Sequence, residues 1–436
     1  MEKFTGLIGI MVLLGIAYAL SNNRSMIKPR IVIWGLGLQI LFALIILKIP
    51  FIKLQFFNID KLFKKLISFS NAGSDFLFKS FVPGVGYHEA MVNFAFRALP
   101  VIIFFSSLIA VTYHFGVIQF IVKWIARLME KTMKTSGAET LSVSANIFVG
   151  QTEAPILIRP FIKSMTNSEL TAVMTGGFAT VAGSVLALYV LWLNAIPGIA
   201  GHMLAASIMS APAALVMAKI IYPETEKSNT IGDLHISIEK QDANAMDALG
   251  RGATDGLKLA ANVAAMLVAF VSIITMINYT LGYFFDTTMQ EMMGFVFQPI
   301  AWSMGIPWDE ARIMGTLMGE KIVLTELIAY SNLGEIINNG GISERTAIIA
   351  SYALCGFANF GSIGIQLGGI GGMAPERRKD LSRLAFKAMI GGALASWLTA
   401  TIAGILIYRE SIKSYETVNY GTSWSWEGHP GKSYKM

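Results

Sequence analysis

A single cysteine, Cys355, stands in a chain of 436 residues. That excludes an internal disulfide framework and a multi-cysteine metal site. Histidine is scarce as well. His88, His114, His202, His235 and His429 are scattered without ligand spacing, so each reads as structural or interfacial rather than catalytic. Charged residues make up 14% of the chain against 54% hydrophobic, too few for an ordinary soluble domain. The net charge of +6 does not point to nucleic acid, because the basic residues fall mostly in loops between apolar runs, as membrane topology requires. With no metal cluster and no nucleophile–histidine constellation, acid–base hydrolysis by two glutamates has little support, and the chain does not read as an enzyme. No signalling domain is evident, which weighs against a receptor.

What remains is a series of apolar runs, with 41 glycines that permit close helix packing in a bilayer. Phe4–Leu20 reads as a retained first span, since it lacks a strongly basic start and a clean cleavage site. Arg24, Lys28 and Arg30 precede span two, Ile31–Leu47, so this short loop is cytoplasmic and the N-terminus lies outside. Residues 50–97 mix lysines with large apolar groups, as in an amphipathic helix on the membrane surface; the lysines conflict with an outer location, and the later loops decide. Ala98–Val122 is span three, and Lys123–Lys134 reads as a cytoplasmic interfacial helix. Spans four to six are Leu170–Leu193, Met203–Ile221 and Leu257–Phe285. Tyr222–Arg251 reads as a mobile cytoplasmic linker. Residues 286–308 are partly amphipathic, with Trp302 and Trp308 as interface anchors. Span seven is Thr346–Gly372, Glu376–Lys379 is a basic cytoplasmic loop, and span eight is Leu384–Tyr408. The tail Arg409–Met436 is polar, flexible and outside.

Two stretches break the apolar pattern. Asn146-Ile147-Phe148-Val149-Gly150-Gln151-Thr152-Glu153-Ala154-Pro155 sets four polar side chains within apolar sequence, bracketed by glycine and proline, so a continuous helix is not expected. An unpaired charge at membrane depth costs about 3 kcal/mol, which marks Glu153 as functional. A polar break at the centre predicts a re-entrant hairpin over 136–165 rather than a span. Ala311–Leu333, carrying Glu320, Lys321 and Glu326, is the second. Each is followed by a matching motif: Ser168-Glu169-Leu170-Thr171-Ala172 with Gly177-Phe178-Ala179-Thr180, then Ser343-Glu344-Arg345-Thr346-Ala347 with Gly356-Phe357-Ala358-Asn359. Loop charges bring the first hairpin in from the cytoplasm and the second from outside. This is the inverted repeat of secondary transporters, whose substrate site lies near the midplane.

The residue types suggest a ligand. Gln151 both donates and accepts, which suits a heterocycle edge, and Thr152 and Glu153 add a hydroxyl and an acceptor. Glu326 suits sugar hydroxyls, with Asn359 and Ser362 completing that end, and Phe357 offers a flat apolar surface. The set fits a neutral, donor-rich ligand such as a nucleoside better than an anion. Arg159 and Lys321 read as topology signals or partners of nearby acids. Asn146 and Thr180 side chains, with carbonyls of Val149 and Val181 freed by helix breaks, form a candidate cation site.

At these residues the chain resembles the concentrative nucleoside transporters over roughly residues 5–405. The 146–155 stretch matches the family's first hairpin signature, and Leu354-Cys355-Gly356-Phe357-Ala358-Asn359 with Ser362 matches its seventh-span signature. Pro223-Glu224-Thr225-Glu226-Lys227 is similar to bacterial members. The resemblance implies an all-α membrane protein with eight transmembrane helices, two opposed re-entrant hairpins and elevator-type transport, assembled as a homotrimer in the inner membrane of a bacterium. It implies scaffold parts at 1–122 and 223–285, transport parts at 123–222 and 286–408, and a tail at 409–436. Gln151, Thr152 and Glu153 would meet the nucleobase, Val185 and Phe357 would pack on it, and Glu326, Asn359 and Ser362 would hold the ribose. Asn146, Val149, Thr180 and Val181 would coordinate Na+, with proton coupling through Glu153 or Glu326 as the alternative. One departure stands out: the family's asparagine before the ribose glutamate is Thr325 here, which bears on how the second hairpin packs and gates.

Overall fold

The computed structural model describes residues 2–79, 93–230 and 242–407. His88, His235, His429, Asp233, Glu239, Lys240 and the tail with Trp424 and Trp426 lie outside the described residues, as does the stretch of the expected interfacial segment at 80–92.

Among the described residues the fold is helical throughout. The helices are α1 Glu2–Ala19, α2 Pro29–Lys48, α3 Pro50–Phe78, α4 Leu99–His114, α5 Val117–Met133, α6 Gly137–Ala145, α7 Arg159–Ile162, α8 Asn167–Ala179, α9 Gly183–Trp192 and α10 Ile199–Ile221. They continue with α11 Ala245–Phe285, α12 Met289–Ser303, α13 Trp308–Val323, α14 Glu326–Asn338, α15 Glu344–Ala353, α16 Phe360–Met373 and α17 Arg378–Leu406. Among the described residues, six stretches are long and apolar enough to cross a bilayer: Pro29–Lys48, Ala95–His114, Asn167–Trp192, Ile199–Ile221, Ala245–Phe285 and Pro375–Leu406. The expected first span is the shorter apolar helix α1. The expected seventh is divided between α15 and α16.

Span three needs a correction. The apolar run continues to Val122, but α4 stops at His114. Gly116, at φ 79, turns the chain, and α5 begins at Val117. A positive φ is cheap only for glycine, so Gly116 separates the span from an amphipathic helix that starts earlier than expected. Along α5, Ile118, Val122, Ile125, Ala126, Met129 and Met133 are buried, the spacing of one helical face, while Lys123, Arg127 and Lys131 stay exposed.

The linker expected to be mobile is also corrected at its start. Ser228 Oγ donates to Glu169 Oε1 at 2.6 Å, and the Thr230 hydroxyl donates to the same oxygen. Gly137 N donates to Thr230 O at 3.0 Å. Residues 224–230 thus staple the start of α6 to the start of α8. Lys219, at the end of α10, lies 2.7 Å from Glu139 Oε2 and 3.6 Å from Glu224, and donates to Ser168 Oγ at 3.0 Å.

α4 and α11 form a close pair. A Cβ at Gly252 would lie 2.7 Å from Ser107 Cα, and one at Gly256 would lie 2.8 Å from Ile103 Cα. With Ala260 buried four residues on, this is a row of small residues that lets two backbones approach. The opposite side of α11 presents Leu257, Val268, Met276, Tyr279 and Tyr283, all exposed. α1 and α2 pack instead on α10 and α17: Gly35 of α2 meets Val216 and the Pro212 carbonyl of α10, and Gly6 of α1 meets Ile405 of α17.

Candidate functional site

Two helical hairpins and two broken helices meet at one place. The first hairpin runs from α6 through the turn Asn146–Glu153 to a short 3-10 helix, Ala154–Ile158, and α7. The nine residues of α6 span about 13 Å, too little to cross about 30 Å of hydrocarbon alone. The Ser136 and Glu139 side chains start α6 with a reciprocal capping box. The second hairpin is α13 and α14, joined at Leu324–Thr325. The first broken helix parts between α8 and α9 at Thr180-Val181-Ala182; the second parts between α15 and α16 at 354–359.

The two breaks touch. Gly356, at φ 96, has no room for a side chain, since a Cβ there would sit 2.5 Å from Phe178 O. The first hairpin tip is tied to its own broken helix by Gly183 N donating to Phe148 O at 3.1 Å.

Four of the expected ligand-binding residues, Gln151, Glu326, Asn359 and Ser362, converge there. Gln151 Nε2 donates to Ser362 Oγ at 3.2 Å. Asn359 caps α16, its Oδ1 accepting from Ser362 N at 2.7 Å, and its Nδ2 donates to Glu326 Oε2 at 2.8 Å. The polar chain therefore runs unbroken from the first hairpin tip to the second. Glu326 is buried at 2% exposure, and the ion pair with Lys321 that the sequence allowed does not form. Glu326 Oε1 instead accepts from the Tyr189 hydroxyl at 3.0 Å. A carboxylate offers about four acceptor positions, so each oxygen keeps one for a ligand hydroxyl. Thr325 caps α14, accepting from Ile328 N at 3.4 Å. Threonine thus does the capping an asparagine would do there.

The other expected residues flank this chain. Val185 is buried on α9 and Phe357 is half-buried in the second break. Thr152 faces α16, where a Cβ on Gly369 would lie 2.6 Å from its Cγ2. Glu153 is accessible and does not join the chain; its carboxylate folds over Gly150, whose added Cβ would lie 2.1 Å from Glu153 Oε2. Arg159 is exposed.

Three participants are missing from the sequence reading. Gln366 Nε2 donates to Gln151 Oε1 at 3.0 Å and to Met174 O at 3.1 Å, fixing which way the Gln151 amide faces. Its signal was its place four residues after Ser362, on the same helix face. Tyr189 carries no such signal, because it lies within an apolar run and its partner is 137 positions away. Tyr330 stacks on Tyr189 with ring centroids 4.2 Å apart and donates to Ser351 O at 2.7 Å.

The candidate cation residues lie on the two segments that the Gly183–Phe148 hydrogen bond joins. Asn146 is buried at 1% exposure; its Nδ2 donates to Ser142 O at 3.2 Å, while its Oδ1 has no hydrogen-bond partner. Thr180, equally buried, donates its hydroxyl proton to Gly176 O at 3.0 Å, which leaves its lone pairs free. Val149 and Val181 lie in non-helical backbone, so their carbonyls stand outside any helical ladder. An unpartnered buried acceptor costs about 1–3 kcal/mol, and oxygen donors on irregular backbone are what a hard monovalent cation takes in transporters. These residues fit Na+.

A helical membrane protein whose two hairpin tips meet at the breaks of two helices is built as a secondary transporter. The comparisons identify which kind. Family models described as "Na+ dependent nucleoside transporter" match at their N-terminal part over residues 8–81 and at their C-terminal part over residues 202–404, and a "Nucleoside recognition" gate model matches residues 95–196. The chain belongs to the Na+-dependent nucleoside transporters. Its coupling ion is therefore Na+, and it is not an enzyme. An uncharacterized transporter of Bacillus subtilis, YutK, is 45% identical over 414 residues, covering 93% of this chain and all of that one. Sodium/nucleoside cotransporter 1 of Mus musculus is 39% identical over 430 residues, 93% of this chain and 64% of that one. An inward-facing, substrate-bound structure of the transporter CNTnw is 42% identical, covering 92% of this chain and 98% of that one at a TM-score of 0.85. Other CNTnw structures are described as outward-facing and intermediate states.

Proposed function

We propose that the chain is a sodium–nucleoside symporter that concentrates nucleosides into a bacterial cell across its inner membrane. The observation that carries this reading is the buried polar chain Gln366–Gln151–Ser362–Asn359–Glu326–Tyr189, which spans both hairpin tips. In the proposed complex the nucleobase meets Gln151, Thr152 and Glu153 and packs on Val185 and Phe357, while the ribose takes the open acceptor positions of Glu326 beside Asn359 and Ser362. Na+ takes Asn146 Oδ1, the Thr180 hydroxyl and the carbonyls of Val149 and Val181. Na+ here orders the first hairpin tip, and the Phe148–Gly183 hydrogen bond passes that order to α9. Reciprocity then requires nucleoside to raise Na+ affinity by the factor by which Na+ raises nucleoside affinity.

Eight spans and two re-entrant hairpins, with both termini outside, are part of this proposal. The hairpin arms are too short to cross alone, and the inward, outward and intermediate states described for CNTnw support an elevator-like motion. A homotrimer is the proposed assembly, with the exposed apolar side of α11 as its contact. The deciding experiment is uptake of labelled uridine into proteoliposomes, under an inward Na+ gradient against choline at fixed pH. Uptake that needs Na+ and concentrates uridine is expected. Concentration without Na+, lost when the proton gradient is collapsed, would overturn the Na+ mechanism.

A further inference from the structure

Lys321 is fully buried in the last turn of α13. Its Nζ donates to Ala353 O at 2.9 Å, Cys355 O at 2.8 Å and Ser396 Oγ at 2.7 Å. Three acceptors match the three N–H bonds of an ammonium; a neutral amine has only two. The carboxylates nearby in sequence are engaged elsewhere. Both Glu320 oxygens accept from Asn332 Nδ2 at 3.0 Å, and Glu326 serves Tyr189 and Asn359. A buried cation held by neutral oxygens alone is an unusual arrangement, since buried charges are normally paired with an opposite charge. Its surroundings, two carbonyls from a helix break and one hydroxyl, are those of a bound monovalent ion.

The internal repeat gives this site a counterpart. The motif shift that carries Ser168-Glu169 onto Ser343-Glu344 carries Gln151 onto Glu326 and Asn146 onto Lys321, and the break at 180–182 has its counterpart in the break at 354–359. In the first repeat, the hairpin's first arm ends at Asn146, whose own Oδ1 is a buried acceptor without a partner. In the second, the equivalent arm brings its own positive charge to the equivalent break.

We propose that the Lys321 ammonium is a tethered cation that holds, in the second repeat, the place that exchangeable Na+ holds in the first. Each cycle is then coupled to one Na+, and removing the ammonium opens a second monovalent-cation site on Ala353 O, Cys355 O and Ser396 Oγ. The inference rests on the Asn146–Thr180 reading of the Na+ site. The tether fixes the second tip permanently in the state that the first tip reaches only with Na+ bound.

The test uses the purified full-length protein. Uridine binding is titrated calorimetrically against Na+, with choline holding ionic strength constant, for the parent and Lys321→Ala. The parent should show a Hill coefficient for Na+ of about one. Lys321→Ala should bind uridine about tenfold or more weakly at low Na+. Its affinity should return as Na+ rises with a Hill coefficient near about two, or on adding methylammonium at saturating Na+. Unchanged uridine affinity with an unchanged Hill coefficient would overturn the proposal, as would a loss that neither cation restores. Should Lys321→Ala not fold, the flux ratio of labelled Na+ to uridine in the parent decides: one supports the tethered cation and two overturns it. Asn146→Ala separates the two readings. If it leaves the parent's Na+ dependence intact, the first-repeat site falls, whereas methylammonium rescue at position 321 does not depend on it.

Discussion

Glu326 and Gln151 sit toward opposite ends of one hydrogen-bonded chain, and the proposed complex gives each a different half of the nucleoside. Glu326→Gln removes a charge-assisted acceptor at a buried site, worth about 1.5–3 kcal/mol, or roughly tenfold to a hundredfold in affinity. Competition binding should show that loss for uridine and little of it for uracil, which has no ribose. Equal losses for both would take Glu326 away from the sugar. Gln366→Leu acts at the other end. It frees the Gln151 amide to rotate, at about 1 kcal/mol for one lost hydrogen bond, and should weaken uridine and uracil alike by about fivefold in the same assay. The contrast shows what sequence can carry at this scale. The stretch 146–155 was conspicuous because polar side chains interrupt an apolar run. Gln366 has no such contrast, being a lone amide among glycines, and neither has Tyr189, because an aromatic ring in a span looks like packing until its hydroxyl is seen to reach Glu326.

At the scale of elements, positions are set by buried polar staples at helix ends and by glycines where backbones cross. Lys219 is 5% exposed and holds Glu139, which caps α6. Lys219→Met leaves a buried carboxylate without its cation, a change that costs about 3–5 kcal/mol. Thermal unfolding in detergent should register the loss, and the double variant Lys219→Met/Glu139→Leu should recover part of it, because replacing both charges removes the unpaired one. If the double variant is no more stable than the single, the ion pair is not what the lysine contributes. Gly356→Ala is expected to be at least as severe, since the new Cβ meets the Phe178 carbonyl and φ is positive. The helix breaks at 180–182 and 354–359 were legible from their glycines and polar residues. The break at Gly116 was not, because the apolar run continues through it and hydropathy does not register a change of chain direction.

For the molecule as a whole, the arrangement of exposed apolar surface bears on assembly. α11 turns its small residues toward α4 and sets Val268, Met276, Tyr279 and Tyr283 outward, with exposures of 71%, 64%, 78% and 77%. Lipid or a second copy of the chain satisfies such a surface equally well by hydrophobicity, since lipid tails are as apolar as the side chains. The difference is geometric: an interface needs a fixed partner. Mass measurement in mild detergent should give a protein mass three times the 47.4 kDa of the chain. Val268→Arg combined with Met276→Arg should shift it to the monomer while leaving uridine binding in place, because these residues lie on α11 and the polar chain is built from the hairpin tips, α9 and α16. A single-chain mass for the parent would remove the trimer, and a trimer that survives both arginines would move its contact off this side of α11. If the monomer binds uridine normally yet fails to concentrate it in proteoliposomes, the site is complete within one chain. Assembly would then supply what a moving transport part requires and cannot provide for itself, a fixed body to move against.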